Sequence, residues 1–214
     1  DAQRIQPCAA FQVLAGWGPG LPERQIVGII QPSPLFSLSH QDPMPLPAYL
    51  HIAPGDITQE SCDAIVNAAN RQLVGGSGVD GAIHRAAGSE PLQAACSALG
   101  GCPTGQAKAT PAFALKAKHI IHAVGPRYVP GKGNAKALAS AYTASLRLAA
   151  ELGCQSIAIP ALSTGVYGYP LDEAAEVSRD AILAFQATPQ ALAEIRLVFF
   201  KEAPMRAALK AWGD

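Results

Sequence analysis

The segment AIVNAAN at residues 64–70 is followed by GGSGVDG at residues 75–81, and His84 comes shortly after it. An apolar run that ends in polar residues is typical of a buried strand that delivers side chains to the edge of a sheet. The glycines permit positive φ angles, so the backbone of this loop can approach a ligand closely. Asp80 then opens a helix, and His84 lies one turn further along the same helix face.

Each of these residues, taken singly, has a structural interpretation. Asn67 and Asn70 could bridge loops, the glycines could serve only a turn, and Asp80 could act only as a helix cap. Together, at the end of a strand, they indicate a functional site. We therefore take Asp80, Asn70 and His84 as candidate functional residues, with Asn67 beside them.

Strand-like and helix-like segments alternate from residue 49 onward. The strand-like segments are 50–53, 64–67, 108–113, 119–124, 156–160 and 194–200, and two helices are predicted at 134–152 and 170–185. Such alternation favours an α/β fold with a mixed, largely parallel sheet and helices on both of its faces.

Residues 1–47 differ from the remainder because they are rich in proline and carry few charges. Their QIVGII run (residues 25–30) is strand-like, so we predict an N-terminal extension that forms a β-hairpin or added edge strands. Residues 48–214 are predicted to form one domain.

The charge balance and the cysteine pattern exclude several classes of protein. Lys and Arg number 16, as do Asp and Glu, so the basic excess of a protein that binds nucleic acid by neutralising phosphates is missing. The five cysteines lack the spacing of a zinc site, and no run of 18 apolar residues occurs. We expect free thiols, no metal, no membrane span, no secretory signal and a cytoplasmic protein.

Two further segments carry chemistry. GDIT (residues 55–58) follows a strand and offers Asp56, which could bind an exocyclic amine or could only cap a helix. IPALSTGVYGYP (residues 159–170) combines a strand, a loop of small residues and a helix start, an arrangement that binds anions through backbone N–H groups. Within it, Tyr167 is either an aromatic residue offered to the ligand or an ordinary surface residue.

With these segments in order, the sequence resembles the macrodomain family and, within it, the MacroD-type hydrolases. The motifs that carry the resemblance are GDIT, DAIVNAAN, GGSGVDGAIHRAAG, TGQAKAT, IIHAVGP and IPALSTGVYGYP, from about residue 49 to the last helix. The resemblance implies a three-layer α/β/α sandwich with a mixed, largely parallel central sheet. It also implies a cleft for ADP-ribose across the strand ends.

The resemblance further implies roles for individual residues. Asp56 and the backbone of Ile57 would bind adenine, Asn70 would hold the distal ribose, and Phe199 would stack on the base, with Phe200 as the alternative. Two loops would grip the pyrophosphate through backbone N–H groups: Gly76, Ser77, Gly78 and Val79 in the first, and Ser163, Thr164, Gly165, Val166 and Tyr167 in the second. Asn67 joins the ligand-binding set. Asp80 is the residue assigned to catalysis, Asn70 is grouped with it as a candidate catalytic residue, and His84 either takes part or only positions groups.

The implied activity is hydrolysis of single ADP-ribose groups from Glu and Asp side chains of proteins, by a monomer without a cofactor. The same site could also deacetylate O-acetyl-ADP-ribose, and nucleic acid would enter only as ADP-ribosylated ends. The water could be activated by Asp80 or by the substrate's own phosphate. The alternative function is a reader module that binds ADP-ribose without catalysis, although readers typically lack the residue corresponding to Asp80.

Overall fold

The structure is a computed structural model that describes residues 46–132 and 134–213, and in this part of the chain six strands and five α-helices form. The strands are β1 (Leu50–Pro54), β2 (Ala64–Ala68), β3 (Ala107–Pro111), β4 (His119–Ala123), β5 (Ser156–Ile159) and β6 (Glu194–Phe199). The helices are α1 (Gly78–Ala87), α2 (Ser89–Ala98), α3 (Asn134–Glu151), α4 (Leu171–Gln186) and α5 (Glu202–Trp212), with a short 3-10 helix at Ile57–Gln59. The strands predicted for the N-terminal extension lie outside the described residues.

The strands form one sheet in the order β1-β6-β5-β2-β4-β3. The first five strands in this order are mutually parallel, and β3 pairs antiparallel with β4 at the edge. The predicted α/β fold with a mixed, largely parallel sheet is therefore confirmed.

Side chains of alternate residues in the central strands enter two separate cores. Ala64 and Val66 of β2 contribute to a core that also contains residues of α3, α4 and α5, whereas Ile65 contributes to a core with residues of α1 and α2. This alternation follows from the two-residue period of a strand. The result is the three-layer α/β/α arrangement, with α1 and α2 on one face of the sheet.

The two predicted helices form close to their expected bounds. In α3 the residues Leu138, Tyr142, Leu146 and Ala149 form a buried stripe, and Gly153 follows the helix with a φ of 74°. In α4 the helix begins one residue after Pro170, and Leu171 is only partly buried because it lies in the first turn.

The parallel strands end at one edge of the sheet, and this edge is where the sequence motifs lie. GDIT follows β1, the second asparagine of AIVNAAN follows β2, and the small-residue loop follows β5. In open parallel sheets, ligands bind in the crevice outside the carboxyl ends of the strands. Among the described residues, no helix is both long and apolar enough to cross a membrane.

Candidate functional site

Asp80 is the polar centre of the first loop. It lies in the first turn of α1 with only 6% of its surface exposed. Its Oδ1 accepts a hydrogen bond of 2.6 Å from Nδ2 of Asn67, and its Oδ2 accepts from the backbone N–H of Gly76. The carboxylate is thus fixed between the end of β2 and the glycine-rich loop, where the helix dipole also favours a negative charge.

The glycines at this loop allow a close approach of backbone to backbone. A Cβ atom on Gly81 would lie 2.5 Å from the carbonyl oxygen of Gly76, so a larger residue would displace either the loop or α1. Gly78 has a φ of 62°, as expected for a loop that needs a positive φ. Ser77 is the N-cap residue but makes no side-chain capping hydrogen bond, and Val79 packs on the α1–α2 side of the core.

Asn70 braces its own loop. Its Nδ2 donates to the carbonyl oxygen of Val74 at 2.6 Å, and its Oδ1 accepts from the N–H groups of Gln72 and Val74. The sequence analysis assigned both asparagines to one site with Asp80. The asparagine that bonds to Asp80 is Asn67, because it lies on the strand itself and faces α1.

His84 is buried below the first loop. Its Nδ1 lies 3.0 Å from the backbone oxygen of Asp80 and 3.6 Å from Oδ1 of the same residue. Because a carbonyl oxygen only accepts, Nδ1 carries a proton. Nε2 has no hydrogen-bond partner among the described residues, and the side chain lines a surface cavity of about 600 Å³ between α1, α2 and the loop. His84 therefore stabilises the first turn of α1 through its contact with the backbone of Asp80.

His122 is a buried residue of the site that sequence reasoning did not identify. It lies on β4, its Nδ1 is 3.2 Å from Nδ2 of Asn67, and its Nε2 is 3.0 Å from Oγ1 of Thr110. Cys96 contacts the ring with its Sγ 3.6 Å from Nε2. Burial, together with the charge of His84, lowers the pKa of His122 from 6.5 to about 4. The imidazole is therefore neutral at physiological pH.

The depressed pKa of His122 makes stability depend on pH. Between pH 6.5 and about 4 the unfolded chain binds a proton at this residue and the folded chain does not, so the free energy of unfolding decreases as the pH falls through this window. We expect a loss of roughly 3 kcal/mol across it. Urea denaturation at pH 7 and pH 4.5 measures the loss. His122→Asn should flatten this dependence, whereas the same change at the exposed His51 should not, and an unchanged slope in His122→Asn would contradict the assignment.

The second loop offers backbone donors. Ser163 is buried with a φ of 66°, and within the part of the chain that the structure describes the N–H groups of residues 163–167 have no protein partner. Thr164 bonds to the carbonyl oxygen of Ala161, while Gly165 and Val166 are exposed. Unpaired N–H groups that precede a helix form an anion-binding concavity.

Two neighbours set the position of the second loop. A Cβ atom on Gly125 would lie 2.2 Å from Oγ of Ser163, so the segment after β4 approaches this loop as closely as glycine allows. The carbonyl oxygen of Tyr167 accepts from the N–H of Tyr128 at 2.8 Å, and the guanidinium of Arg127 lies 4.8 Å from the centre of the Tyr167 ring. Tyr167 is therefore held by a cation–π contact at the surface.

Asp56 and the end of β6 lie side by side. Pro54 and Phe199 are paired in the register of β1 and β6, and the N–H of Gly55 donates to the carbonyl oxygen of Phe199. Asp56 is exposed, and its Oδ1 accepts from both the N–H and the hydroxyl of Thr58. Asp56 therefore caps the 3-10 helix, and the rest of its carboxylate faces solvent and is available to a ligand. The following Ile57 is buried.

The two phenylalanines at the end of β6 have opposite environments. Phe199 is 6% exposed and packs in the core with α3–α5, whereas Phe200 is 86% exposed. Sequence reasoning favoured Phe199 as the residue that contacts a ligand and kept Phe200 as the alternative. Phe199 is buried because it shares a strand face with Ile195 and Leu197, whereas the ring of Phe200 lies at the surface.

Comparison with known proteins places this geometry in a family. The macro domain family model matches residues 66–178. A macro domain-containing protein of Chlorobaculum tepidum is 45% identical over 169 residues, which cover 78% of this chain and 98% of that protein. A macro domain-containing protein of Mesorhizobium japonicum is 57% identical over 130 residues, 60% of this chain and 73% of that protein.

Solved structures agree with the sequence relatives. The Trypanosoma brucei macrodomain in complex with ADP-ribose is 36% identical with a TM-score of 0.73, and the match covers 80% of this chain and 73% of that one. The Oceanobacillus iheyensis macrodomain with ADP is 39% identical with a TM-score of 0.69, covering 74% and 86%. The chain described here belongs to the macro domain family.

Proposed function

We propose that this chain is a MacroD-type macrodomain that binds ADP-ribose and hydrolyses single ADP-ribosyl groups from Glu and Asp side chains of proteins. The observation that carries the proposal is the carboxylate of Asp80, fixed by two hydrogen bonds beside the glycine-rich loop. Solved relatives bind ADP-ribose and ADP. We further propose that residues 48–214 form the functional unit.

Adenine would bind where β1 and β6 end. The exposed carboxylate of Asp56 can accept a hydrogen bond from the exocyclic amine, and the exposed ring of Phe200 can stack on the base. The register of β1 and β6 supports this assignment, because Asp56 and Phe200 both follow the carboxyl ends of these paired strands. We therefore assign the stacking role to Phe200 rather than to Phe199.

The pyrophosphate would bind between the two loops. The chain has no excess of basic residues, so its negative charge must be met mainly by backbone N–H groups. The donors of residues 163–167 and the first turn of α1 both serve this purpose, since helix N-termini favour anions. Asn70 keeps the first loop in the shape that brings its N–H groups together.

The distal ribose would then lie near Asp80. In the proposed reaction, a water molecule attacks the anomeric carbon, the bond from this carbon to the carboxylate oxygen of the modified Glu or Asp breaks, and the released carboxylate keeps the electron pair. A carboxylate has about four lone-pair positions, so Asp80 can accept from Asn67, Gly76 and a water at the same time. It can thus orient that water and take its proton, alone or together with the substrate's phosphate.

One observation favours the alternative of a binding module without catalysis. Both oxygens of Asp80 already accept hydrogen bonds within the protein, so the residue can also be understood as a brace for the loop. A brace would affect affinity for ADP-ribose and would add no hydrolysis. The two functions therefore separate in a release assay with an ADP-ribosylated protein.

Substitutions at the adenine end should weaken binding. Phe200→Ala and Asp56→Ala should each cost about 1–3 kcal/mol in ADP-ribose affinity, through the loss of stacking area and of a charge-assisted hydrogen bond. Titration calorimetry measures this loss. Phe113→Ala removes another exposed phenylalanine as a matched control and should bind as the wild type does. If Phe200→Ala bound ADP-ribose as tightly as the wild type, the assignment of the stacking role to Phe200 would be contradicted.

Binding itself has a direct test. We expect a Kd for ADP-ribose in the micromolar range or tighter, about −8 kcal/mol, and far weaker binding of AMP and NAD. AMP lacks the second phosphate and the distal ribose, and NAD carries a nicotinamide where the distal ribose should be free. Comparable affinity for AMP would contradict a site that uses both ends of the ligand. Hydrolysis is tested by the release of ADP-ribose from a Glu-modified protein.

A further inference from the structure

We propose that His122 is a positioning residue for the hydrolysis: it fixes the orientation of the Asn67 amide, which in turn holds the Asp80 carboxylate. This inference rests on the proposed function, because the group that is positioned is the proposed catalytic one. His122 contacts Asn67, and Asn67 contacts Asp80, so His122 would act only through the asparagine.

The hydrogen bonds of Asn67 determine which way its amide faces. Nδ2 lies 2.6 Å from Oδ1 of Asp80, and a carboxylate oxygen only accepts. A flipped amide would place its oxygen against that carboxylate without a proton between them. The NH₂ group therefore faces Asp80, and one of its two hydrogens is used there.

The second hydrogen of the same NH₂ group reaches His122. Nδ2 of Asn67 lies 3.2 Å from Nδ1 of the ring. A donor on Asn67 requires an acceptor on His122, so Nδ1 carries the lone pair and Nε2 carries the proton. Nε2 then donates to Oγ1 of Thr110 at 3.0 Å, and the chain of bonds runs from β3 through β4 and β2 to Asp80.

The surroundings make this orientation rigid. Asn67 and His122 have no exposed surface, and Thr110 is also buried. Hydrogen bonds are stronger in such a low-dielectric interior, so the bonds between Asp80, Asn67, His122 and Thr110 hold these side chains in one arrangement. The lowered pKa of His122 keeps its ring neutral, which preserves the lone pair on Nδ1. Asn67 Oδ1 has no partner among the described residues, so the amide is oriented by its two donated bonds.

Two substitutions separate this role from simple packing. Asparagine at position 122 can place its Oδ1 where Nδ1 of the ring now lies, because both atoms are two bonds from Cβ. Glutamine extends one bond further and places its polar atoms toward Thr110 instead. His122→Asn therefore keeps an acceptor for Asn67, and His122→Gln loses it, although both are neutral amides of similar polarity.

The test is single-turnover release of ADP-ribose from a Glu-modified protein, with ADP-ribose titrations and thermal unfolding of each variant. We expect His122→Gln to lower the rate by about 10-fold or more, because a displaced catalytic group loses its alignment. His122→Asn should retain a rate within about threefold of wild type. Both variants should keep their affinity for ADP-ribose. Equal rates for the two variants, in folded protein, would overturn the positioning role.

A second measurement uses the unaltered protein. Nitrogen-15 chemical shifts of the imidazole distinguish a protonated from an unprotonated nitrogen, and we expect Nδ1 of His122 to be unprotonated and Nε2 protonated. A proton on Nδ1 would overturn the inference regardless of the kinetics. Absence of release by the wild type would instead overturn the proposed function, and the tautomer would still decide the hydrogen-bond assignment.

Discussion

Asp80→Ala is expected to slow the release of ADP-ribose from a Glu-modified protein by about 10²-fold or more, which is typical for the removal of a positioned acid–base group. Asp80 lies in the first turn of α1 and is held by Asn67 and Gly76, so its carboxylate has a defined place from which to orient a water. The affinity for ADP-ribose should change far less, because the adenine contacts and the second loop lie elsewhere. Single-turnover release and calorimetry measure the two effects separately.

Three further variants control this experiment. Asp80→Asn keeps the volume but turns one acceptor into a donor that faces either Asn67 or Gly76, so it should also lose most of the rate. His84→Ala should be milder, because His84 contacts the backbone of Asp80 from behind. Asp172→Ala removes an exposed carboxylate from the first turn of α4 and should leave the rate unchanged. Undiminished release by Asp80→Ala would transfer the catalytic role to the substrate's own phosphate and its bound water.

Gly81→Ala is expected to destabilise the fold by about 1–3 kcal/mol and to weaken ADP-ribose binding by about 10-fold or more. The expected loss of stability is informative because it is opposite to the usual effect of alanine in a helix. Alanine in a helix is normally more stable than glycine by about 1 kcal/mol. Here the added Cβ would lie 2.5 Å from the carbonyl oxygen of Gly76, so the loop that carries the phosphate-binding N–H groups must move.

The matched control is Ala82→Gly, the next residue of α1. It lowers helix propensity without adding an atom beside Gly76, so it should reduce stability by about 1 kcal/mol and leave ADP-ribose affinity unchanged. Thermal unfolding and calorimetry on both variants separate helix stability from loop position. If Gly81→Ala raised the melting temperature and bound ADP-ribose normally, the close contact between α1 and the loop would be contradicted.

The fold was predictable because its signals are local. Strands and helices alternate along the chain, and the apolar residues of the predicted segments follow the periods of the structures that they form. Gly78 and the small-residue loop after β5 were likewise predictable, since positive φ angles and backbone donors leave a clear mark on the residue types.

The parts of the site that sequence reasoning missed depend on contacts between distant residues. His122 is a fully buried polar residue that follows two isoleucines in β4, and its partners Asn67, Thr110 and Cys96 lie on other elements. The hydrogen bond between Asn67 and Asp80 could not be predicted for the same reason, because only the position of α1 shows which asparagine faces Asp80.

The preference for Phe199 over Phe200 illustrates a different limit. The alternation of Ile195, Leu197 and Phe199 along β6 assigns all three to one strand face, and this parity was readable from the sequence. Motif alignment nevertheless favoured Phe199, because an alignment compares positions and contains no information on burial. Phe200 is therefore preferred for the proposed stacking role only when the buried and exposed faces of β6 are distinguished.

The proposed removal of ADP-ribose from acidic side chains is tested by comparing three linkages side by side. Three proteins modified with a single ADP-ribose on Glu, on Ser or on Arg are incubated in parallel with the unaltered chain, and free ADP-ribose is measured over time. We expect release from the Glu-modified protein alone, because a carboxylate is a good leaving group without assistance from an acid. No release from the Glu-modified protein, by a chain that binds free ADP-ribose in calorimetry, would contradict the claim and identify a binding module.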